Sequence, residues 1–173
     1  MILQTERLIL REMDANDLPA LRRILQDAEV MYAYEHAFSE EETRAWLNRQ
    51  LERYQTYGFG LWAVVLKESG DMIGQCGVTM QTTPQGEVPE VGYLFEKAHW
   101  RKGYAIEAAR AAKEYAFNVL KFDEVFTIIR DNNIPSQNVA KRNGMTERDR
   151  FTKYYWGMDM PHILFSVKKE EKT

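Results

Sequence analysis

Between Glu90 and Leu120 the chain runs through a strand-like segment, a short basic loop and a helical stretch, and this order constrains the fold more than anything else in it. The strand-like segment is Glu90-Val-Gly-Tyr-Leu-Phe95, the loop is His99-Trp100-Arg101-Lys102-Gly103-Tyr104-Ala105, and the helical run is Ile106 to Leu120. A helix start leaves backbone N–H groups without partners and carries partial positive charge. Arg101 and Lys102 add two cations there, which is unfavourable unless an anion is shared. A bound phosphate or pyrophosphate would resolve that conflict, and Gly103 would let the backbone come close to it. The competing reading is an ordinary surface helix with a glycine near its start, since one glycine is much less than a full phosphate-loop motif.

The surrounding sequence narrows the choice. Glu6 to Arg11 alternates as a first strand. Asp14 or Asp17 can cap a helix running to about Ala28, with Pro19 in its first turn. Ser39 to Glu42 forms a capping box ahead of a second helix, Thr43 to Tyr57, closed by Gly58. Phe59 to Leu66 and Met72 to Met80 read as strands joined by a turn at Ser69-Gly70-Asp71. Gln81 to Pro89 reads as a polar loop. Ala105, Ala109, Ala112 and Ala116 form a small-residue stripe that permits close packing on a sheet. Asp123 to Arg130 is a further strand, and Ser136 is expected to cap a short helix ending at Asn143-Gly144. Met145 to Arg150 and Ile163 to Lys168 complete the strands, with Phe151 to Pro161 unassigned. Hairpin-linked strands among helices exclude a purely parallel dinucleotide-binding sheet.

Bulk properties remove other classes. At 173 residues the chain is long enough for one sizeable core, and residues 1–173 are read as a single domain. The formal net charge of −3 argues against a nucleic-acid partner. The lone Cys76 excludes an internal disulfide framework and reads as a small buried hydrophobe. His36, His99 and His162 lack metal-ligand spacing, so no metal is expected. No apolar run approaches the ~18 residues of a membrane span, and the N-terminus does not read as a signal peptide. The expectation is a cytoplasmic protein with no membrane partner.

Three patterns in this order resemble one family. They are Thr5-Glu6-Arg7-Leu8-Ile9-Leu10-Arg11; Glu90-Val-Gly-Tyr with Trp100-Arg-Lys-Gly-Tyr-Ala-Ile-Glu-Ala108; and Asn133-Ile-Pro-Ser-Gln-Asn-Val-Ala-Lys-Arg-Asn-Gly-Met145. The chain resembles the GNAT-superfamily N-acetyltransferases, in the branch of the ribosomal-protein acetyltransferases RimJ and RimL. The resemblance implies a mixed α/β (α+β) fold: a mostly antiparallel sheet of about seven strands, its fourth and fifth strands splayed, flanked by about four helices. It implies acetyl-CoA as co-substrate, an amine acceptor (a protein N-terminus or a small molecule) and a homodimer. Carried over by motif, Arg101, Lys102, Gly103, Tyr104, Ala105 and Ile106 hold the cofactor's phosphates. Leu94 and Phe95 pair with its pantetheine arm as an added strand, and Asn133 and Ser136 lie near it.

Transfer to an amine needs a group to take a proton, directly or through water. Glu90, on the strand facing the acceptor side, is the candidate base; it also reads as a strand-end carboxylate that caps a loop or pairs with a cation. Many family members place a Tyr acid where this chain has Ala140. Ser136 is the substitute that the resemblance suggests, with Tyr154 or Tyr155 as others. Met31, Tyr32, Tyr34, Glu35 and His36, the loop 81–89 and residues 154–156 are candidates for the acceptor pocket, since aromatic and acidic groups suit a cationic amine. The rival function is a catalytically degenerate acyl-CoA-binding module, for which the missing Tyr argues.

Overall fold

A computed structural model describes residues 1–155 and 157–171. Its eight strands form one sheet in the order β1-β2-β3-β4-β5-β6-β8-β7. They are β1 (Leu3–Gln4), β2 (Leu8–Arg11), β3 (Leu61–Leu66), β4 (Met72–Thr83), β5 (Gly86–Phe95), β6 (Glu124–Arg130), β7 (Thr146–Tyr155) and β8 (Met158–Lys168). Every neighbouring pair is antiparallel except β5 with β6. The helices are α1 (Leu18–Leu25), α2 (Glu40–Tyr57), α3 (Tyr104–Asn118) and α4 (Ile134–Arg142).

Local chemistry sets most boundaries. The Ser39 hydroxyl accepts from Glu42 N–H while the Glu42 carboxylate accepts from Ser39 N–H, the reciprocal box expected before α2. Gly58, at φ 80°, closes that helix in the left-handed conformation. The cap of α4 differs from expectation: Asn133, not Ser136, is the N-cap, and its side chain accepts from Ser136 N–H. Pro135 then lies in the first turn, where no intrahelical N–H is needed.

Two polar stretches are hairpins. Gln81 to Pro89 is no loop, because β4 and β5 pair without a slip from Gly74↔Phe95 to Thr83↔Gly86. Glu96 N–H bonds Ile73 O, and the alternation of an antiparallel ladder then turns the backbone of Leu94, Gly92 and Glu90 to β4. Tyr93, Val91 and Pro89 face the β6 edge. The N–H that Pro89 lacks is therefore not one the β4 ladder needs. Likewise residues 151–155 extend β7 and residues 158–161 extend β8, paired out to Tyr155↔Met158.

The sheet separates two cores. On one face Ala108, Ala109, Ala112 and Ala116 of α3 are buried against Trp62, Val91 and Phe95. The small side chains bring the helix backbone close to the strands. On the other, Leu21, Ile24 and Leu25 of α1 and Leu47 of α2 pack on Leu61, Ala63 and Val65 of β3. Cys76 is fully buried, and burial pushes its thiol well above the usual range.

A candidate active site where two central strands part

β5 and β6 run parallel but share one pairing register, Glu90↔Phe126. Beyond it the strands diverge. At the fork the Glu90 carboxylate accepts a hydrogen bond from Ile128 N–H at 2.6 Å, so a side chain serves a backbone donor that has lost its ladder partner. A cavity of about 550 Å³ opens over the gap on the α1/α2 face. Glu90, Gly92 and Leu94, alternate residues of β5, line its floor, with Ser136 of α4 at one side. Burial pushes the Glu90 carboxyl up from an ordinary 4.5 to about 7, against the lowering effects of Ile128 N–H, Lys153 and Arg53. A carboxyl at that value exists in both protonation states near neutrality, as a general base requires.

The basic loop lies past the C-terminal end of β5. Trp100 Nε1 donates to Phe95 O at 2.9 Å and ties the loop to the strand. Arg101 has φ 63° and Gly103 φ 81°, so two left-handed residues alternate just before α3. Such an arrangement turns successive N–H groups toward one point. Gly103 is the N-cap of α3 and no side chain caps that end.

The loop is held from behind. Glu107, in the first turn of α3, accepts from Thr5 Oγ1 at 2.5 Å, Arg7 N at 3.0 Å and Arg7 Nε at 2.7 Å. Arg7 also donates to Lys102 O at 2.9 Å and lies 4.3 Å from the centre of the Tyr104 ring. The opening motif thus anchors the loop of the second motif, a link that sequence order alone did not reveal. Arg101, Lys102 and the uncapped N–H groups of Gly103 to Ile106 fit a diphosphate. In the gap, the Phe95 N–H faces the open edge while its carbonyl is engaged by Trp100; Leu94 offers the cavity its side chain.

The remaining predicted residues are distributed unevenly. Asn133 Oδ1 accepts from Ser136 N–H at 3.3 Å and from the Tyr32 hydroxyl at 3.0 Å. Glu35 pairs with Arg130, and His36 Nε2 meets the Glu42 carboxylate at 2.9 Å. The segment 32–35 is therefore strapped to β6 and α4 across the mouth of the gap. Of Met31, Tyr32, Tyr34, Glu35 and His36, Tyr34 lines the cavity, and from the stretch 81–89 Gln81 does. Tyr154 is 70% exposed and does not line the cavity, whereas its neighbour Lys153 does. Trp156 and the side chain of Tyr155 lie outside the described residues.

Sequence reading missed three side chains. The Tyr93 hydroxyl is buried beside Ser136 without a completed hydrogen bond, and burial pushes it up to about 12. It lines the same small cavity as Ala140 and Ser136, in the region where the family's Tyr is missing. Period-2 alternation of side chains along the strand, which separates Tyr93 from Glu90, Gly92 and Leu94, was the signal that could have found it. Arg49 and Arg53, four residues apart on α2, also face the main cavity.

Comparison with known proteins agrees with this geometry. Residues 7–146 match the family described as the acetyltransferase (GNAT) domain. The chain is 38% identical over 144 residues to the uncharacterized protein YkkB of Bacillus subtilis, covering 83% of this chain and 84% of YkkB. It is 30% identical over 154 residues to the uncharacterized N-acetyltransferase YnaD of the same organism, with 88% and 87% covered. A GNAT-family acetyltransferase from Bacillus anthracis superposes with a TM-score of 0.80 at 25% identity, over 97% of this chain and 98% of that one. RimL, a ribosomal L7/L12 α-N-protein acetyltransferase solved with coenzyme A, shares the fold: TM-score 0.78 at 17% identity, with 99% of each chain covered. The sheet with one parted parallel pair is that of a GNAT acyltransferase. The chain belongs to the GNAT acetyltransferase family and is an N-acetyltransferase.

Proposed function

We propose that the protein transfers an acetyl group from acetyl-CoA to a primary amine, on a small molecule or a protein N-terminus, by direct attack within a ternary complex. The observation that carries this reading is Glu90 at the fork, a carboxyl near neutrality beside an open strand edge. Acetyl-CoA supplies the acyl group as a thioester. Arg101, Lys102 and the loop N–H groups hold its phosphates. The Phe95 N–H and its neighbours along the open edge of β5 orient its arm. Glu90 takes the proton of the attacking amine, directly or through one water. Tyr93 stays protonated across the working pH range and, beside Ser136, donates a hydrogen bond to the departing sulfur. That pair supports turnover in a chain whose usual Tyr position is Ala140, against the reading of a degenerate binding module.

The test is an acceptor screen that follows free CoA thiol. It compares peptides beginning Ala, Ser or Met with polyamines, amino acids and aminoglycosides. Thiol release with at least one amine, abolished by Glu90→Gln, is the expected result. Binding of acetyl-CoA with no release across the panel would leave the binding-module reading standing instead.

A further inference from the structure

The cavity wall opposite β5 is cationic in a way that acetyl transfer alone does not require. Arg49 and Arg53 both face the cavity from α2. Their spacing puts them on one helix face about 6 Å apart along the axis. Two like charges so placed disfavour one another, and burial, with Arg49 adding to it, lowers the Arg53 guanidinium below its ordinary value. Neither arginine has an acidic partner among the described residues. Arg53 donates to Gln50 Oε1 at 3.2 Å and makes no ion pair. The other charged groups nearby are engaged: Arg130 with Glu35, and Glu42 with His36 and the α2 cap; Lys153, which also lines the cavity, lies over the Phe151 ring. The phosphate-binding residues 101–106 do not line this cavity, so the two arginines do not serve that end of acetyl-CoA.

Arg53 and Glu90 influence one another's ionisation yet are not in contact. The space between them has an acceptor of protons on one side and a guanidinium on the other. A ligand that satisfies both ends carries an amine and an anion close together. The cavity has to hold the arm of the co-substrate as well as the acceptor, and the strap from Tyr32 to Glu35 roofs it. That volume suits a small molecule better than a peptide chain.

Building on the acetyltransferase reading, we infer that the acceptor is a small zwitterionic amine of the amino-acid class. Its carboxylate is bound by Arg53 and Arg49 while its amino group faces Glu90.

The experiment compares matched acceptors: a set of amino acids, each as free acid, as carboxamide and as the decarboxylated amine. Each is assayed with the full chain, with Arg49→Gln, with Arg53→Gln and with the double variant. A charge-assisted pair corresponds to a preference of about tenfold to a hundredfold in kcat/KM for the free acid over the carboxamide. That ratio is expected to fall toward one in the double variant, through KM for the acid. No preference in the natural chain, or a preference that survives in the double variant, overturns the inference. So does a rise in KM for acetyl-CoA as the main effect, which would make the arginines cofactor contacts. Equilibrium binding of the same acids and amides to the CoA-loaded protein reads the arginines without turnover. If the acids bind preferentially and only the natural chain shows it, the inference holds even where no acceptor is acetylated, and the catalytic reading alone fails.

Discussion

Replacing Glu90 with Gln separates the roles of this residue, because glutamine keeps an oxygen that can accept from Ile128 N–H and removes the titration. The folded-state value of about 7 stands above the ordinary 4.5. An unfolded chain therefore releases this proton first. Between those two values the folded protein binds a proton that the unfolded chain has lost, so stability falls as pH rises through the window. Fully developed above pH 7, the gap corresponds to about 3 kcal/mol. The Gln variant escapes that loss. It should match the natural protein near pH 4 and exceed it by up to about 3 kcal/mol above pH 8, measured by urea unfolding across the range. In kinetics the same change should lower kcat/KM by about 100- to 10 000-fold and remove the acidic limb near pH 7. A Gln variant that keeps the acidic limb, or that is less stable at every pH, would refute the argument that a buried carboxyl at the fork is the base.

Other perturbations test the parts around it. Glu107→Gln removes the charge that holds Arg7 and Thr5 behind the phosphate loop. It should raise KM for acetyl-CoA about tenfold with kcat little changed, read by steady-state kinetics; equal losses in both would show that the clamp acts elsewhere. Arg101→Gly relieves a left-handed backbone at φ 63°, a gain of roughly 1 kcal/mol partly offset by glycine's freedom in the unfolded chain. Thermal unfolding should show equal or slightly higher stability while KM for acetyl-CoA rises. Tyr93→Phe deletes one buried hydroxyl and should lower kcat roughly tenfold without moving the acidic limb set by Glu90; a shift of that limb would mean that Tyr93 acts through the base.

What the sequence disclosed was local. The Ser39–Glu42 box, the Gly58 stop and the Arg101–Gly103 helix start each depend on residues within one or two turns, so their chemistry is visible in a short window. Gln81 to Pro89 was misread for the converse reason. Polar residues and two prolines describe a loop by composition, and only ladder parity shows that Pro89 sits where no β4 bond is required. Arg49 and Arg53 look like a solvated helix face until β5 is known to lie opposite. Glu35 and His36 looked like recognition groups, but Glu35 is committed to an ion pair with Arg130 and His36 to a hydrogen bond with Glu42, which no local pattern announces. Tyr93 was hidden by alternation: along β5 its side chain takes the sheet face opposite that of Glu90, beside Ala109 and Ala140.

The parting of β5 and β6 is one geometric event with three consequences. It leaves the edge of β5 around Tyr93 and the Phe95 N–H without a β6 partner, which gives an amide-bearing arm an edge to extend. It orphans the Ile128 N–H, which Glu90 then serves from a position fixed to within one hydrogen bond. It also sets that carboxylate in the cleft beneath α2 rather than on an open face, and burial there raises its affinity for a proton. Binding edge, base placement and base strength are therefore coupled. A substitution that closed the gap would disable all three together, whereas Glu90→Gln disables one. Ile128 offers the reciprocal control: Ile128→Pro deletes the N–H while leaving the carboxyl. With that bond gone and burial unopposed by it, the Glu90 value should move further upward. The acidic limb of kcat/KM should follow it above pH 7, a direction opposite to what simple loosening of the site and entry of water would produce.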